Sequence, residues 1–283
     1  MSATDVSNSL DRNPELIVAS TYRREVFASL ERVWENVYDW EHLPWIHSKA
    51  FNAIDLVDSG DWGWRARIEL AGQAKAEIEL IADRSAGRYV ARTFAGAGAP
   101  TEIWTSLEAV AEDRTAIQVE FCVAPMSEDA LRKLGGGFVS LYTLLWDQDE
   151  EMMRVRQAAL DQGPFAPSDS VESRRIGRFD EIRSKLPMAI EFAGRSFRII
   201  EVAGELVAHS TECPHRLGPL NECEIVDGSL TCPWHGYRFD ARTGRSVDGR
   251  SLRLPHAPRI VIDSASQEVT LVADDSAAQS PTG

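Results

Sequence analysis

The sequence predicts an α+β protein of two domains, in which an antiparallel sheet surrounding a long C-terminal helix precedes a small all-β domain. Three observations support this prediction. Residues 51–125 contain runs of alternating apolar and polar residues, as antiparallel strands do. Residues 138–160 have the periodicity of one long amphipathic helix. The segment 161–175 is rich in Pro, Ser and Asp, which is typical of a linker, and short strands with Gly and Asp turns follow it.

The first domain begins after a polar segment, residues 1–14, which predicts a disordered tail. Residues 16–26, LIVASTYRREV, predict a strand. The segment ASLERVWENVYDW follows with helical spacing. Its apolar residues recur at intervals of three and four: Leu30, Val33, Trp34 and Val37.

The sheet and the closing helix come next. Strands are predicted at 62–70, 74–82, 89–96, 103–110 and 116–124. SEDALRKL then begins a helix with an acidic capping pattern. The glycines at 135–137 predict a break, after which FVSLYTLLWDQDEEMMRVRQAAL forms the long helix. These elements make one domain over residues 15–160, with the helix packed into the concave sheet.

This order of elements resembles the helix-grip domains of the START and polyketide-cyclase superfamily. The resemblance implies an apolar pocket between sheet and helix. After the linker, the second domain is predicted at 176–273, followed by a disordered tail at 274–283.

Composition excludes several classes of protein. The 44 acidic and 30 basic residues give a net charge of −14, so the chain lacks the basic footprint of a nucleic-acid binder. No apolar run approaches the roughly 18 residues that a membrane helix needs. The N-terminus has no secretory signal, so we expect a cytoplasmic protein. Its four cysteines are then expected to be reduced and to form no disulfide framework.

Two cysteine–histidine pairs stand out in the second domain: Cys213-Pro-His215 and Cys232-Pro-Trp-His235. A tetrahedral zinc site is chemically possible, because two thiolates and two imidazoles satisfy that ion. A zinc finger, however, has a cysteine pair followed by a histidine pair on a helix. Here each loop carries one residue of each type, which favours an unsymmetrical iron–sulfur cluster.

The string C-P-H-x16-C-P-W-H-G-Y-x-F-D resembles the Rieske [2Fe–2S] domain. The resemblance implies that Cys213 and Cys232 hold one iron and that His215 and His235 hold the other. It also implies that Gly218 and Gly236 let backbone N–H groups approach the sulfur atoms.

The sequence departs from the respiratory Rieske proteins at three positions. Those proteins carry a disulfide across the cluster, and its two positions are Gly218 and Trp234 here. They also carry a serine that donates a hydrogen bond to a sulfur, and Tyr237 occupies that position. Fewer donors to the reduced cluster lower its potential. A low-potential cluster of the kind found in oxygenases and their ferredoxins is therefore expected.

A second pair of histidines, His42 and His47, lies in the first domain, in ENVYDWEHLPWIHS. Positions five apart on a continuous helix point about 140° away from each other. Pro44 lies between them and predicts that the helix is broken or turned there, so that both can face one pocket. Upstream, Glu35 and Asp39 are spaced to share one helical face with His42.

The string E-x3-D-x2-H-x4-H resembles the mononuclear-iron motif of Rieske oxygenases. The resemblance implies that His42 and His47 bind Fe(II), and that Asp39 hydrogen-bonds a ligand histidine and bridges the electron path from the cluster. Glu35 would be a supporting carboxylate.

The family's third ligand is a carboxylate on the long closing helix, completing a two-histidine, one-carboxylate site. Asp147 and Asp149 are about 200° apart on that helix, so they cannot both face the pocket. Apolar residues share the face of Asp149: Tyr142, Leu145, Trp146, Met152 and Met153. Polar residues share the face of Asp147: Ser140, Thr143, Glu150, Glu151 and Arg154. Asp149 is therefore predicted as the ligand, with Asp147 as the alternative.

The resemblance implies a terminal oxygenase that hydroxylates, dihydroxylates or demethylates a small apolar substrate with O2. Electrons would come from NAD(P)H through a separate reductase or ferredoxin, because the chain has no flavin or nicotinamide motif. The family's usual domain order is reversed here, and its ring of protomers implies a homotrimer. The alternative is a Rieske electron carrier fused to a helix-grip domain that only binds a ligand.

Overall fold

The computed structural model describes residues 10–163 and 173–273. The chain divides into two compact units, with the boundary between Arg154 and Val155. The first unit is built on a large antiparallel sheet with a long helix, and the second consists mainly of short strands. The predicted α+β class is confirmed.

The first unit contains a seven-stranded sheet with the order β1-β7-β6-β5-β4-β3-β2, antiparallel throughout. Its strands are β1 (Ile17–Val26), β2 (Phe51–Gly60), β3 (Gly63–Leu70), β4 (Lys75–Asp83), β5 (Arg88–Gly96), β6 (Thr101–Ala111) and β7 (Arg114–Val123). Its helical elements are α1 (Leu30–Tyr38), a 3-10 turn (Trp40–His42), α2 (Leu43–Ile46) and α3 (Glu128–Asp161). Strand β2 was not among the predicted strands; it lies at the edge of the sheet and most of its residues are exposed, so it has no clear apolar alternation.

The core of this unit lies between the sheet and the helices. Ser29 caps α1 by accepting a hydrogen bond from the backbone N–H of Arg32. The apolar face of α1 is buried as its spacing predicts, with Val33 and Trp34 nearly inaccessible. From α3, Trp146 joins the same apolar cluster, and the sheet contributes Val119 and Phe121 among others.

Helix α3 runs without interruption through residues 135–137, so the predicted glycine break is wrong. Gly135 is buried where the helix crosses β1. A Cβ at this position would lie 2.8 Å from the carbonyl oxygen of Ala19 and 3.0 Å from the Cβ of Ser20. The Ser20 hydroxyl donates to the carbonyl of Gly135 at 3.1 Å. At Gly135, then, glycine serves close packing of helix on strand.

The N-terminal residues that the structure describes contact the sheet. Arg92 donates to the carbonyl oxygen of Asp11 at 2.7 Å, and Arg12 pairs with Glu120. The rest of the predicted tail, residues 1–9, lies outside the described residues.

The second unit contains three small three-stranded sheets with the orders β11-β10-β9, β12-β13-β14 and β15-β16-β8. Its strands are β8 (Ser173–Arg178), β9 (Met188–Phe192), β10 (Arg195–Val202), β11 (Glu205–Ser210), β12 (Ile225–Val226), β13 (Ser229–Thr231), β14 (Arg238–Asp240), β15 (Arg259–Ile262) and β16 (Glu268–Val272). Among its described residues this unit also contains the short helix α4 (Phe179–Arg183) and the end of α3, residues 155–161.

The predicted linker, 161–175, and C-terminal tail, 274–283, fall largely outside the described residues, which omit 164–172 and 274–283. Within the described parts of the chain, none of the helices is both long and apolar enough to cross a bilayer.

Candidate metal centres

The first candidate centre begins where α1 ends. The backbone leaves the helix at Asp39, whose φ and ψ are −87° and 80°. The 3-10 turn then carries His42, and Pro44 occupies the first turn of α2, where its missing N–H costs no helical hydrogen bond. His47 ends α2 with φ −102° and ψ 36°. The helix is therefore turned between the histidines, and their ring centroids are 5.1 Å apart.

Asp149 on α3 completes a buried group of three with these histidines. One potential ligand atom from each residue lies within 4.8 Å of the others. Its Oδ1 is 3.4 Å from Nε2 of His42 and 3.0 Å from Nε2 of His47. Ligand atoms about 2.1 Å from a metal and at right angles to each other are themselves about 3 Å apart. The donor set and its spacing fit a divalent transition-metal ion such as Fe(II).

Two side chains hold this group in place, and the sequence did not predict either of them. Gln148 Oε1 lies 2.9 Å from Nδ1 of His47 and accepts its N–H, which leaves Nε2 as the atom turned to Asp149. Asn36 Nδ2 donates to Oδ1 of Asp149 at 3.0 Å. In the sequence, Asn36 could have been noticed as an amide on the apolar face of α1.

Within this group, Asp149 and the histidines shift each other's pKa values. Burial alone would raise the pKa of Asp149, but hydrogen bonds from His42 and His47 hold it below its usual range. Burial lowers the pKa of His47, yet its hydrogen bond and attraction to Asp149 raise it overall. The same residues that would bind a cation thus bind a proton in its absence.

The other acidic residues singled out in the sequence lie at different places. Oδ2 of Asp39 is 4.0 Å from Nδ1 of His42, beyond hydrogen-bond range, although both residues are buried. Glu35 pairs with Arg32. Asp147 is exposed and accepts from Arg24 at 2.5 Å. Of the two predicted alternatives on α3, the structure brings Asp149 and not Asp147 to the histidines.

A cavity of about 130 Å³ adjoins the three residues. Apolar side chains from the sheet and helices line most of it: Val37, Leu43, Phe51, Trp64, Ile78, Leu80, Tyr89, Ala91, Tyr142, Leu145 and Trp146. Its polar lining consists of Asn36, Asp39 and the three-residue group. The candidate centre therefore faces a small, mostly apolar pocket.

The second candidate centre is formed by two loops of the same design. In the first loop the N–H of Cys213 donates to the carbonyl of Gly218, and the N–H of Leu217 donates to the carbonyl of Cys213, both at 2.9 Å. In the second loop the N–H of Cys232 donates to the carbonyl of Tyr237 at 2.8 Å, and the N–H of Gly236 donates to the carbonyl of Cys232 at 2.9 Å.

The equivalent residues Leu217 and Gly236 both have left-handed backbone, with φ of 61° and 69°. The two loops thus share the same backbone turn after the cysteine.

The loops bring the four predicted ligands together. The rings of His215 and His235 are 4.5 Å apart, and Cys213 and Cys232 are buried. A hydrogen bond from the Cys213 thiol is the main cause that lowers the pKa of Cys232 to about 5. A lowered pKa favours the thiolate, which is the form of cysteine that binds metal.

The surroundings of the sulfur atoms fit a cluster. A Cβ on Gly218 would lie 2.9 Å from Sγ of Cys232, so only glycine fits there. Backbone N–H groups of His215 and Arg216 hydrogen-bond Cys213, and that of Trp234 hydrogen-bonds Cys232. The N–H of Gly236 itself donates to the carbonyl of Cys232.

Comparison with known proteins identifies the second centre. Residues 173–258 match the model of the Rieske [2Fe–2S] domain family. The second unit therefore contains a Rieske domain, and this domain indicates a [2Fe–2S] cluster. The predicted Rieske domain is confirmed, and the four ligand residues stay a prediction.

Curated relatives match only short stretches. Protein TIC 55, chloroplastic, of Arabidopsis thaliana is 34% identical over 55 residues, which is 19% of this chain and 9% of that protein. Pheophorbide a oxygenase, chloroplastic, of Oryza sativa subsp. japonica is 43% identical over 56 residues, 19% of this chain and 10% of that protein. The chain thus matches about a tenth of the length of these relatives.

Among solved structures, a START superfamily protein from Mycobacterium smegmatis covers 47% of this chain and 97% of its own, with 20% identity and a TM-score of 0.40.

Proposed function

We propose that this protein is the terminal component of an oxygenase, in which a Rieske cluster supplies electrons to an Fe(II) ion in the first unit. The observation that carries the proposal is the buried group of His42, His47 and Asp149, in a chain that also contains a Rieske domain. The group faces an apolar pocket, as a site that oxidises an apolar molecule needs. The rice relative, which is similar over 56 residues, is an oxygenase, and this supports the proposal.

Three of the residues would bind the ion, and two others would orient them. His42 and His47 would bind it through Nε2 and Asp149 through a carboxylate oxygen, the atoms that already converge. Gln148 fixes the ring of His47, and Asn36 fixes the carboxylate of Asp149. An Fe(II) ion held by these residues would supply the activation of O2 beside the apolar pocket.

Asp39 is the proposed orienting partner of His42. Nδ1 of His42 is buried and has no hydrogen-bond partner among the described residues. The nearest carboxylate oxygen to it in the described ion pairs is Oδ2 of Asp39, at 4.0 Å. A small rotation of Asp39 would let it accept the N–H of His42 and so hold the imidazole toward the ion.

The pocket indicates the size and character of the substrate. Its volume of about 130 Å³ is slightly below the roughly 150 Å³ of an apolar protein cavity that accepts benzene. We therefore propose a small apolar substrate, or a larger one that inserts one apolar group. Reducing equivalents would reach the cluster from a separate NAD(P)H-dependent reductase or a ferredoxin.

A single-turnover experiment tests this proposal. The fully iron-loaded protein is reduced chemically, mixed with small arenes and with 18O2, and its products are analysed by mass spectrometry. We expect at most one product carrying 18O per chain, because one turnover uses one electron from the reduced cluster and one from the Fe(II) ion. His42→Ala should keep the Rieske spectrum and form no product, whereas His256→Ala, in the other unit, should behave as the wild type does.

The competing function is electron transfer without oxygenation, by a Rieske domain fused to a ligand-binding domain. It predicts no labelled product from any arene, and a cluster that still passes its electron to an added acceptor at the same rate in His42→Ala. Product formation by His42→Ala would equally contradict the role of His42.

A further inference from the structure

Tyr237 lies directly against a proposed cluster ligand. Its ring is stacked on that of His215, with centroids 4.4 Å apart and planes 18° from parallel. The tyrosine is buried. Its position is also the one at which respiratory Rieske proteins carry a serine donor, so this chain presents a flat aromatic face to the histidine instead.

Arg250 covers the same tyrosine. Its guanidinium carbon is 3.9 Å from the centroid of the Tyr237 ring, a close cation–π contact. At these distances the guanidinium and the ring of His215 cannot share one face of the tyrosine. The order of the stack is therefore Arg250, Tyr237, His215.

Asp248 fixes this stack to the chain. Its Oδ2 accepts from Nη1 of Arg250 at 2.7 Å and from the backbone N–H of Arg238, the residue after Tyr237, at 3.2 Å. The Ser246 hydroxyl also donates to this carboxylate. One carboxylate thus ties the arginine to the strand that begins beside the tyrosine. We call Asp248 and Arg250 together the clip.

We infer that the clip is a positioning device for the Rieske cluster, which keeps Tyr237 stacked on His215, and that Arg250 within it raises the reduction potential of the cluster. The clip as a whole has no net charge, but the guanidinium is the charge that lies against the Tyr237 ring. Reduction adds negative charge to the cluster, and a positive charge at that position favours the reduced state. A stacked ring also restricts the orientation of the histidine that it covers. Arg250 therefore offsets part of the lowering expected from the missing serine.

The reduction potential of the cluster, followed by electron paramagnetic resonance during a redox titration, tests this inference. Arg250→Met should lower the midpoint potential and shift the g-values, because the charge is lost and the tyrosine is released. Arg183→Met is the matched control. Arg183 also pairs with a carboxylate, Glu201, and also lies over an aromatic ring, that of Phe179. This control should leave potential and g-values unchanged, and equal values for the two variants would overturn the inference.

Asp248→Asn separates positioning from simple charge. Removal of a negative charge alone would raise the potential and leave the g-values of the wild type. If the clip positions Tyr237, the g-values of Asp248→Asn should instead move toward those of Arg250→Met. Arg250→Lys keeps the positive charge, so its midpoint potential and g-values should lie between those of Arg250→Met and those of the wild type. Wild-type g-values in Asp248→Asn would overturn the positioning role.

Two irons and two labile sulfides per Rieske domain establish in each variant that the cluster is intact. The inference depends on the Rieske cluster and not on oxygenase activity. A protein that fails the single-turnover test can therefore still confirm the clip.

Discussion

Asp149 is the residue on which the candidate iron site depends, and its neighbours determine how well it can hold a metal. The carboxylate is buried, faces two histidines and accepts from Asn36. A buried carboxylate without such partners would be costly. The arrangement is therefore specific to a bound cation, whether a proton or a metal ion.

Gln148 should matter for metal affinity although it is not a proposed ligand. Gln148→Leu removes the acceptor that orients His47, and loss of such a partner typically weakens metal binding by about 10–100-fold. Titration of the metal-free first centre with Co(II), followed by its absorption bands, measures this. The control is Gln157→Leu on the same helix, where Gln157 pairs only with Asp161 in the described contacts. Unchanged affinity in Gln148→Leu would remove the assigned role.

The pH dependence of metal binding follows from His47. Its pKa lies above the ordinary 6.5, because Asp149 outweighs the effect of burial. In the metal-free protein this pair stabilises the fold below pH 6.5, and that stabilisation is lost as the pH rises through the raised pKa. A metal must displace the same proton, so Co(II) affinity should fall about tenfold per pH unit below that pKa and level off above it. Affinity that stays constant across that range would contradict the coupling.

The sequence predicted the candidate metal ligands but missed the two amide side chains that hydrogen-bond them. The resemblance to the mononuclear-iron motif pointed to His42 and His47, and helical geometry separated Asp149 from Asp147 as the third candidate. Gln148 and Asn36 could not be predicted, because an amide is common on helices and only the contact between two distant segments gives it a role.

Among the elements, α3 shows how a local rule can give the wrong result. Three consecutive glycines predict a break, since each lowers the stability of a helix interior. The helix continues because Gly135 packs on β1 and because the apolar core supports the part of α3 that follows the glycines, from Phe138 onward. Edge strand β2 was missed because most of its residues are exposed, so its sequence lacks a clear apolar alternation. Strands β3 to β7 were predicted because one face of each is buried, which gives their sequences a regular alternation.

The glycines of α3 should differ in their response to substitution. Gly135→Ala should destabilise the protein by roughly 1–3 kcal/mol, because its Cβ meets the carbonyl of Ala19 at 2.8 Å. Gly137→Ala should stabilise it by about 0.5–1 kcal/mol, because nothing lies within 4 Å and alanine favours the helix. Chemical denaturation of the two variants checks the signs. Equal effects would show that Gly135 has no packing role.

The chain combines a candidate metal centre with a Rieske domain, in the reverse of the usual order in the oxygenases that it resembles. The first unit contains a pocket with three converging candidate ligands, and the second contains the Rieske domain. Sequence alone predicted this division, because the Rieske loops carry a motif of high specificity and the sheet carries clear alternation. It could not predict the size of the pocket, which depends on how distant side chains pack.

The most direct test of the central claim is the iron content of the wild-type protein and of Asp149→Asn, with Asp147→Asn as the control on the exposed face of the same helix. The samples are loaded anaerobically with Fe(II), desalted and analysed for iron and labile sulfide. The account predicts three irons and two sulfides per chain for the wild type and for Asp147→Asn, and two irons with two sulfides for Asp149→Asn. Two irons in the wild type, or three in Asp149→Asn, would contradict it.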